Sequence, residues 1–222
     1  VPASEASGDN PADTGPFTIY TLRPVDESAK DAALVQFLAS LKKAVAAKDA
    51  AALTALLDPE VSAGDGTQGL DAFRRRWGLD KGAAASPLWA LINTALSMGG
   101  AFAPGASDTF VLPYAAALFP SRLDPSRYRV VTAANVNVRA QPSLDAPAVG
   151  TAAYLVVRRL DPAAGETLPA VTLNGQAYRW VKVQLPSGTV GYMVEKYLWN
   201  PAVRVVLRKS SGGWRVAGVE GG

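Results

Sequence analysis

The hydrophobic period of the chain changes near Tyr128, and that change restricts the fold more than any other feature. Upstream, Leu34, Phe37, Leu38, Leu41 and Val45 recur at intervals of three and four, which predicts a helix over Ala32–Lys48 with one apolar face. Asp49 is placed to cap a second helix over Ala50–Leu57, and Asp58-Pro59 ends it because the residue before proline is pushed out of the α region. Gly64–Gly69 reads as a loop, and Leu70, Phe73 and Trp77 form another helical stripe. Ser86-Pro87 pairs a capping hydroxyl with a proline at the first helical position, where no N–H is needed. Leu88, Leu91, Ile92, Ala95 and Leu96 then make a buried face that Gly99-Gly100 terminates. Phe110–Tyr114 is a short extended piece, and the prolines from Phe119-Pro120 to Asp124-Pro125 mark a linker.

Downstream, the runs Tyr128–Thr132, Val136–Arg139, Ala148–Val157, Val171–Leu173, Tyr178–Gln184 and Thr189–Met193 are short and rich in Val, Tyr and Thr. Gln141-Pro142, Asp161-Pro162, Asn174-Gly175 and Ser187-Gly188 break them, a spacing that predicts a small β-barrel. Val203–Arg208 and Trp214–Val219 follow as a final hairpin. The fold class read from this order is α+β.

Composition removes much of the chemistry open to such a chain. Its 222 residues include no Cys and no His. Disulfides, thiol nucleophiles, zinc-thiolate sites, Ser-His-Asp triads and His-ligated metals are therefore excluded. The formal charge of +3 conceals an asymmetry: residues up to Pro125 carry 10 Lys/Arg against 14 Asp/Glu, while Ser126 onward carries 12 against 5. The basic half lacks a dense Lys/Arg run interleaved with aromatics, so a solvated surface is expected rather than a nucleic-acid interface. Val1–Pro16 is small, polar and acidic, as expected downstream of a removed signal peptide. No apolar run approaches the ~20 residues of a membrane span.

Asn135-Val136-Asn137-Val138-Arg139-Ala140-Gln141-Pro142-Ser143 resembles the opening strand of bacterial SH3-type domains, and Trp180-Val181-Lys182-Val183 resembles their Trp-x-Lys-Val strand. The later Gly-Trp pair of that family appears here as Gly191-Tyr192. Pro87-Leu88-Trp89, Gly99-Gly100 and Pro113-Tyr114 ahead of these motifs resemble a family of exported bacterial SH3 domain-containing proteins. The resemblance implies an SH3-like β-barrel over residues 126–199, a periplasmic or otherwise exported location, and binding of peptide or wall polymer without catalysis. The remaining boundaries are a polar segment at 1–16, a mainly helical domain at 17–125 and the hairpin at 200–222. Arg204–Val216 also resembles the last strand pair of cystatin-like or nuclear-transport-factor-like folds. That likeness would make the barrel an insertion in the first domain; the alternative is a hairpin appended to the barrel.

Tyr154, Tyr178, Trp180, Tyr192 and Tyr197 are the candidate lining of an aromatic groove, with Arg139 beside it, since extended peptides dock on such surfaces. The competing role for Trp180 is core packing, and for Arg139 and Asn137 it is turn stabilisation. Arg74-Arg75-Arg76 spread around a helix too widely to share one ligand. Asp65-Gly66-Thr67 lacks the spaced carboxylates of a calcium loop. Glu60, Glu166 and Glu195 have no glycosidase pairing pattern, and Ser40–Lys43 has no glycine-rich elbow. The expected function is recognition of peptidoglycan stem peptide, another wall component or a partner peptide, with no cofactor and no metal. The alternatives are a pocket for a small apolar ligand lined by Phe73, Trp77, Leu91, Phe102, Phe110 and Tyr114, and a structural interaction scaffold of open oligomeric state.

Overall fold

The computed structural model describes residues 15–162, 165 and 167–221. Most of the polar opening segment and Glu166 lie outside the described residues. Along the chain run α1 (Ala32–Ala47), α2 (Ala50–Leu56), β1 (Leu57–Ser62), α3 (Leu70–Arg76), α4 (Leu88–Ser97), β2 (Ala101–Phe102), β3 (Thr109–Leu112) and α5 (Tyr114–Ala117). Then come β4 (Tyr128–Val131), β5 (Val136–Arg139), β6 (Ala148–Ala152), β7 (Val156–Arg159), β8 (Ala170–Leu173), β9 (Gln176–Gln184), β10 (Val190–Val194) and β11 (Leu198–Trp199). The final hairpin is β12 (Arg204–Ser210) and β13 (Gly213–Glu220). The protein is α+β, and its described residues divide into two compact units: one of Pro24–Leu118 with residues 202–221, the other of residues 15–23 with Phe119–Pro201. No helix among the described residues is long and apolar enough to cross a membrane.

The first unit joins five helices to a sheet of order β1-β13-β12-β3-β2. The C-terminal hairpin occupies its centre: β12 pairs antiparallel with β3, and β13 pairs parallel with β1. Strand β1 runs through Asp58-Pro59, a place where the sequence predicts only a helix stop. It lies at the sheet edge, where the missing N–H of Pro59 can face away from the ladder. Helix α1 begins at Asp31, whose carboxylate accepts from the N–H groups of Ala33 (2.8 Å) and Leu34 (3.1 Å). The same carboxylate accepts from Lys209 Nζ (2.7 Å) and Trp214 Nε1 (3.3 Å), so one side chain caps the helix and ties it to the terminal hairpin. Asp49 caps α2 through the N–H groups of Ala51 and Ala52. Ser86 Oγ accepts from Leu88 N–H and donates to the carbonyl of Trp77, joining the start of α4 to the end of α3. Gly99 has φ +75°, and a Cβ there would meet the Val25 carbonyl oxygen at 2.7 Å, so the stop after α4 requires glycine. Leu34, Leu41, Phe73, Ile92, Phe110 and Leu207 are fully buried in the shared core.

The second unit is a sheet of order β11-β4-β7-β9-β10-β5-β6, with β8 paired to β9. Val131, Val138, Val157, Val183 and Met193 form its core. Two features differ from the predicted barrel. The sheet does not close by hydrogen bonding, because its end strands are the two-residue β11 and the largely exposed β6, which do not pair. The run Ala148–Val157 is two strands and not one: Tyr154 takes φ +56°, and single bonds from Tyr154 N–H to the Ala133 carbonyl and from Val131 N–H to the Leu155 carbonyl replace a continuous ladder. Residues 17–23, which the sequence places with the helical domain, belong to this unit. Phe17 N–H donates to the Pro186 carbonyl, the Phe17 ring meets Tyr128 edge-on at 5.6 Å, and Val156 N–H donates to the Tyr20 carbonyl. Arg158 is buried beneath that segment, with its guanidinium 4.8 Å from the Phe17 ring centroid and Nη1 donating to Gln184 Oε1 at 2.7 Å.

Candidate functional site

Strand alternation sorts the side chains of the second unit onto two faces. Val181, Val183 and Met193 turn toward the core, while the cross-strand pairs Trp180–Val194 and Lys182–Tyr192–Arg139 lie on the opposite face. At one end of that face the loop before β5 and the chain after it enclose an open cleft of about 220 Å³. Trp180, Val194, Leu173 and Leu144 supply apolar wall; Asn135, Asn137, Arg139 and Tyr197 supply polar groups. Asn135 adopts φ +54°, a left-handed conformation that asparagine tolerates, and this turns the chain into β5 beside the cleft. Arg139 Nη1 donates to the Ala146 carbonyl at 2.6 Å, which secures the loop carrying Leu144. Leu144 itself is 44% exposed at the rim.

The structure brings together three of the six residues expected to form a groove. Trp180, Tyr197 and Arg139 line the cleft. Trp180 is nonetheless buried, so it is both packed side chain and cleft wall. Tyr197 also packs partly against the core. Tyr192 stands opposite Arg139 and Lys182, with Lys182 Nζ 5.7 Å from its ring, but it does not line the cleft. Tyr178 is engaged by Gln176 Oε1 (2.8 Å) and by Lys196 over its ring, and Tyr154 sits at the break between β6 and β7. Neither lines the cleft.

A second cleft, of about 450 Å³, is lined by Arg129, Arg159, Arg179, Trp180, Lys182 and Glu195, among others. Burial and the neighbouring Arg159 lower the pKa of Arg129, and Glu195 opposes the shift. The sequence reading misses this cluster because its arginines are 20 or 30 residues apart. The available signal is parity: Arg179 shares the alternation of Val181 and Val183, positions that face the core.

The other candidates resolve into local structure. Arg74 pairs with Asp80 at 2.9 Å, whereas Arg76 reaches toward Asp65 at 3.9 Å and lies over Trp77, so they serve different partners. Hydrogen bonds from the hydroxyl and N–H of Thr67, with the charge of Arg76, hold Asp65 below the usual carboxylate range. Ser40 Oγ donates to the Gln36 carbonyl within α1. Glu60 is exposed on β1, and among the described residues no group of three or more acidic side chains is placed to hold a metal. Phe73, Trp77 and Phe110 are core residues, and Leu91 and Phe102 pack against that core. Tyr114 is buried. Among protein-family models, curated proteins and solved structures, none matches this chain.

Proposed function

We propose that the protein is a non-catalytic, exported bacterial binding protein whose SH3-like unit holds a peptide, with the stem peptide of peptidoglycan as its ligand. One observation carries this reading: the cleft joins an apolar wall of Trp180, Val194 and Leu144 to the amides of Asn135 and Asn137 and the guanidinium of Arg139. An extended peptide presents alternating side chains and backbone amides to such a surface, and a peptide carboxylate pairs with arginine. The opening of β5 and the Trp-x-Lys-Val sequence of β9, which carry the likeness to SH3-type domains, are also the segments that build the cleft. A cystatin-like or nuclear-transport-factor-like character of the helical unit is consistent with its sheet, in which a terminal hairpin lies between β1 and β3.

Sedimentation with purified sacculi tests the reading. The unmodified protein pellets with the wall at moderate salt, and Leu144→Asp, a change at an exposed rim position, abolishes pelleting while leaving the circular dichroism spectrum unchanged. Equal pelleting of the variant would reject the cleft as the seat of binding, and no pelleting of the unmodified protein would reject the wall as its target.

A further inference from the structure

We infer that the basic cleft is a subsite for an elongated oxyanion carrying two or more negative groups, such as linked phosphates or paired carboxylates. Three adjacent strands supply its guanidinium groups: Arg129 from β4, Arg159 from β7 and Arg179 from β9. Register places them on a common side. Arg129 stands opposite Val157 and Arg159 opposite Val183, while Arg179 follows the same alternation four residues before Val183. These positions continue the core face beyond the point where Val131, Val157 and Val183 have closed it, so the cleft is a charged mouth at the end of an apolar interior.

The arrangement keeps cations close. Arg129 and Arg159 are diagonal neighbours on adjacent antiparallel strands, a separation that long side chains span readily. Arg129 Nη1 is anchored by the Tyr128 carbonyl at 2.6 Å, which limits its freedom to move away from Arg159. Like charges held near one another in a partly desolvated cleft repel, and a bound anion converts that repulsion into attraction. Asp161 pairs with Arg159 at 2.6 Å and Glu195 faces Arg129, yet both carboxylates are exposed, so a stronger oxyanion can compete with them. Positions Arg179 and Val183 are about 13 Å apart along β9 at the usual strand rise. The Arg159 and Arg179 side chains reach into the cleft from both ends of that interval, so two linked anionic groups engage both guanidiniums more readily than one small ion does. Trp180 lines this cleft and the neighbouring peptide cleft alike, although the anion subsite stands without the wall-binding reading.

Isothermal titration of the full chain at fixed ionic strength, with pyrophosphate in one arm and tricarballylate in the other, tests the inference. Saturable 1:1 binding in either arm is expected, and the tighter arm identifies phosphate or carboxylate as the natural group. Arg159→Gln and Arg179→Gln, both at exposed positions, should each weaken binding on the order of tenfold. Glu195→Gln should tighten it, an opposite change that general loss of structure would not give. Arg74→Gln, in the other unit, should leave it unaltered. Absence of saturable binding in both arms would overturn the subsite. Equal weakening by Arg74→Gln would overturn it too, by showing attraction to net charge alone.

Discussion

The two units use polar side chains in opposite ways. Among the described residues of the helical unit, Ser86 is the buried polar residue, and it joins α3 to α4. Its carboxylates Asp31 and Asp49 cap helices, and the half-buried Arg74 and exposed Arg204 have Asp80 and Glu220 as partners. In the β unit a charged residue, Arg158, is buried with Gln184, and cations line two clefts. The helical unit uses these polar groups to join its own elements. The β unit instead gathers cationic side chains at its openings.

Substitutions in the two cores should expose this contrast, with the largest losses where packing alone is removed. Phe73→Ala deletes a fully buried ring and should cost about 3–5 kcal/mol in denaturant unfolding. Arg158→Ala removes a buried charged donor to Gln184 Oε1 and should cost about 1.5–3 kcal/mol. The double change Arg158→Met with Gln184→Met, which removes both partners, should recover part of that loss; no recovery would show that the pair contributes more than mutual satisfaction.

Acid acts on the helical unit through Asp31. Asp31 is held at about 2, against an ordinary 3.8, chiefly by the hydrogen bond from Lys209 and then by the N–H of Leu34. A carboxyl with a depressed folded value stabilises above its unfolded pKa, and that contribution is lost as pH falls from about 4 toward 2. Asp31→Asn should therefore flatten the decline in stability over that window, and an unchanged acid profile would remove Asp31 as the tie between α1 and the terminal hairpin. The smallest expected change is at the rim: Leu144→Asp should shift stability by no more than about 0.5 kcal/mol. A larger loss would mean that Leu144 belongs to the core and not to a binding surface.

Local signals were the most legible part of the chain. The intervals from Leu34 to Val45 and the capping residues Asp49 and Ser86 mark helices because they act within a few residues of themselves. Strand β1 was not legible, since Leu57–Ser62 owes its extended form to β13, about 160 residues away, and a proline masks it. The break at Tyr154 was hidden for a related reason: a positive φ on tyrosine has no sequence mark, and the bonds around it link Tyr154 to Ala133 and Leu155 to Val131, residues distant in the sequence. Within the cleft, Trp180, Tyr197 and Arg139 were readable by residue type, whereas Leu144 and Leu173 come from loop and strand segments whose approach depends on folding. Tyr192 belongs to the right strand but lies outside the cleft lining.

We propose above all that the β unit binds through the Trp180 cleft. Its most direct test is a heteronuclear NMR titration of the full chain with a soluble muramoyl stem peptide. Saturable shifts are expected at Asn135–Arg139, Leu144, Leu173, the Trp180 indole and Tyr197 and nowhere else. Shifts confined to α1–α5 and the β12–β13 hairpin, or none at millimolar peptide, would contradict this proposal.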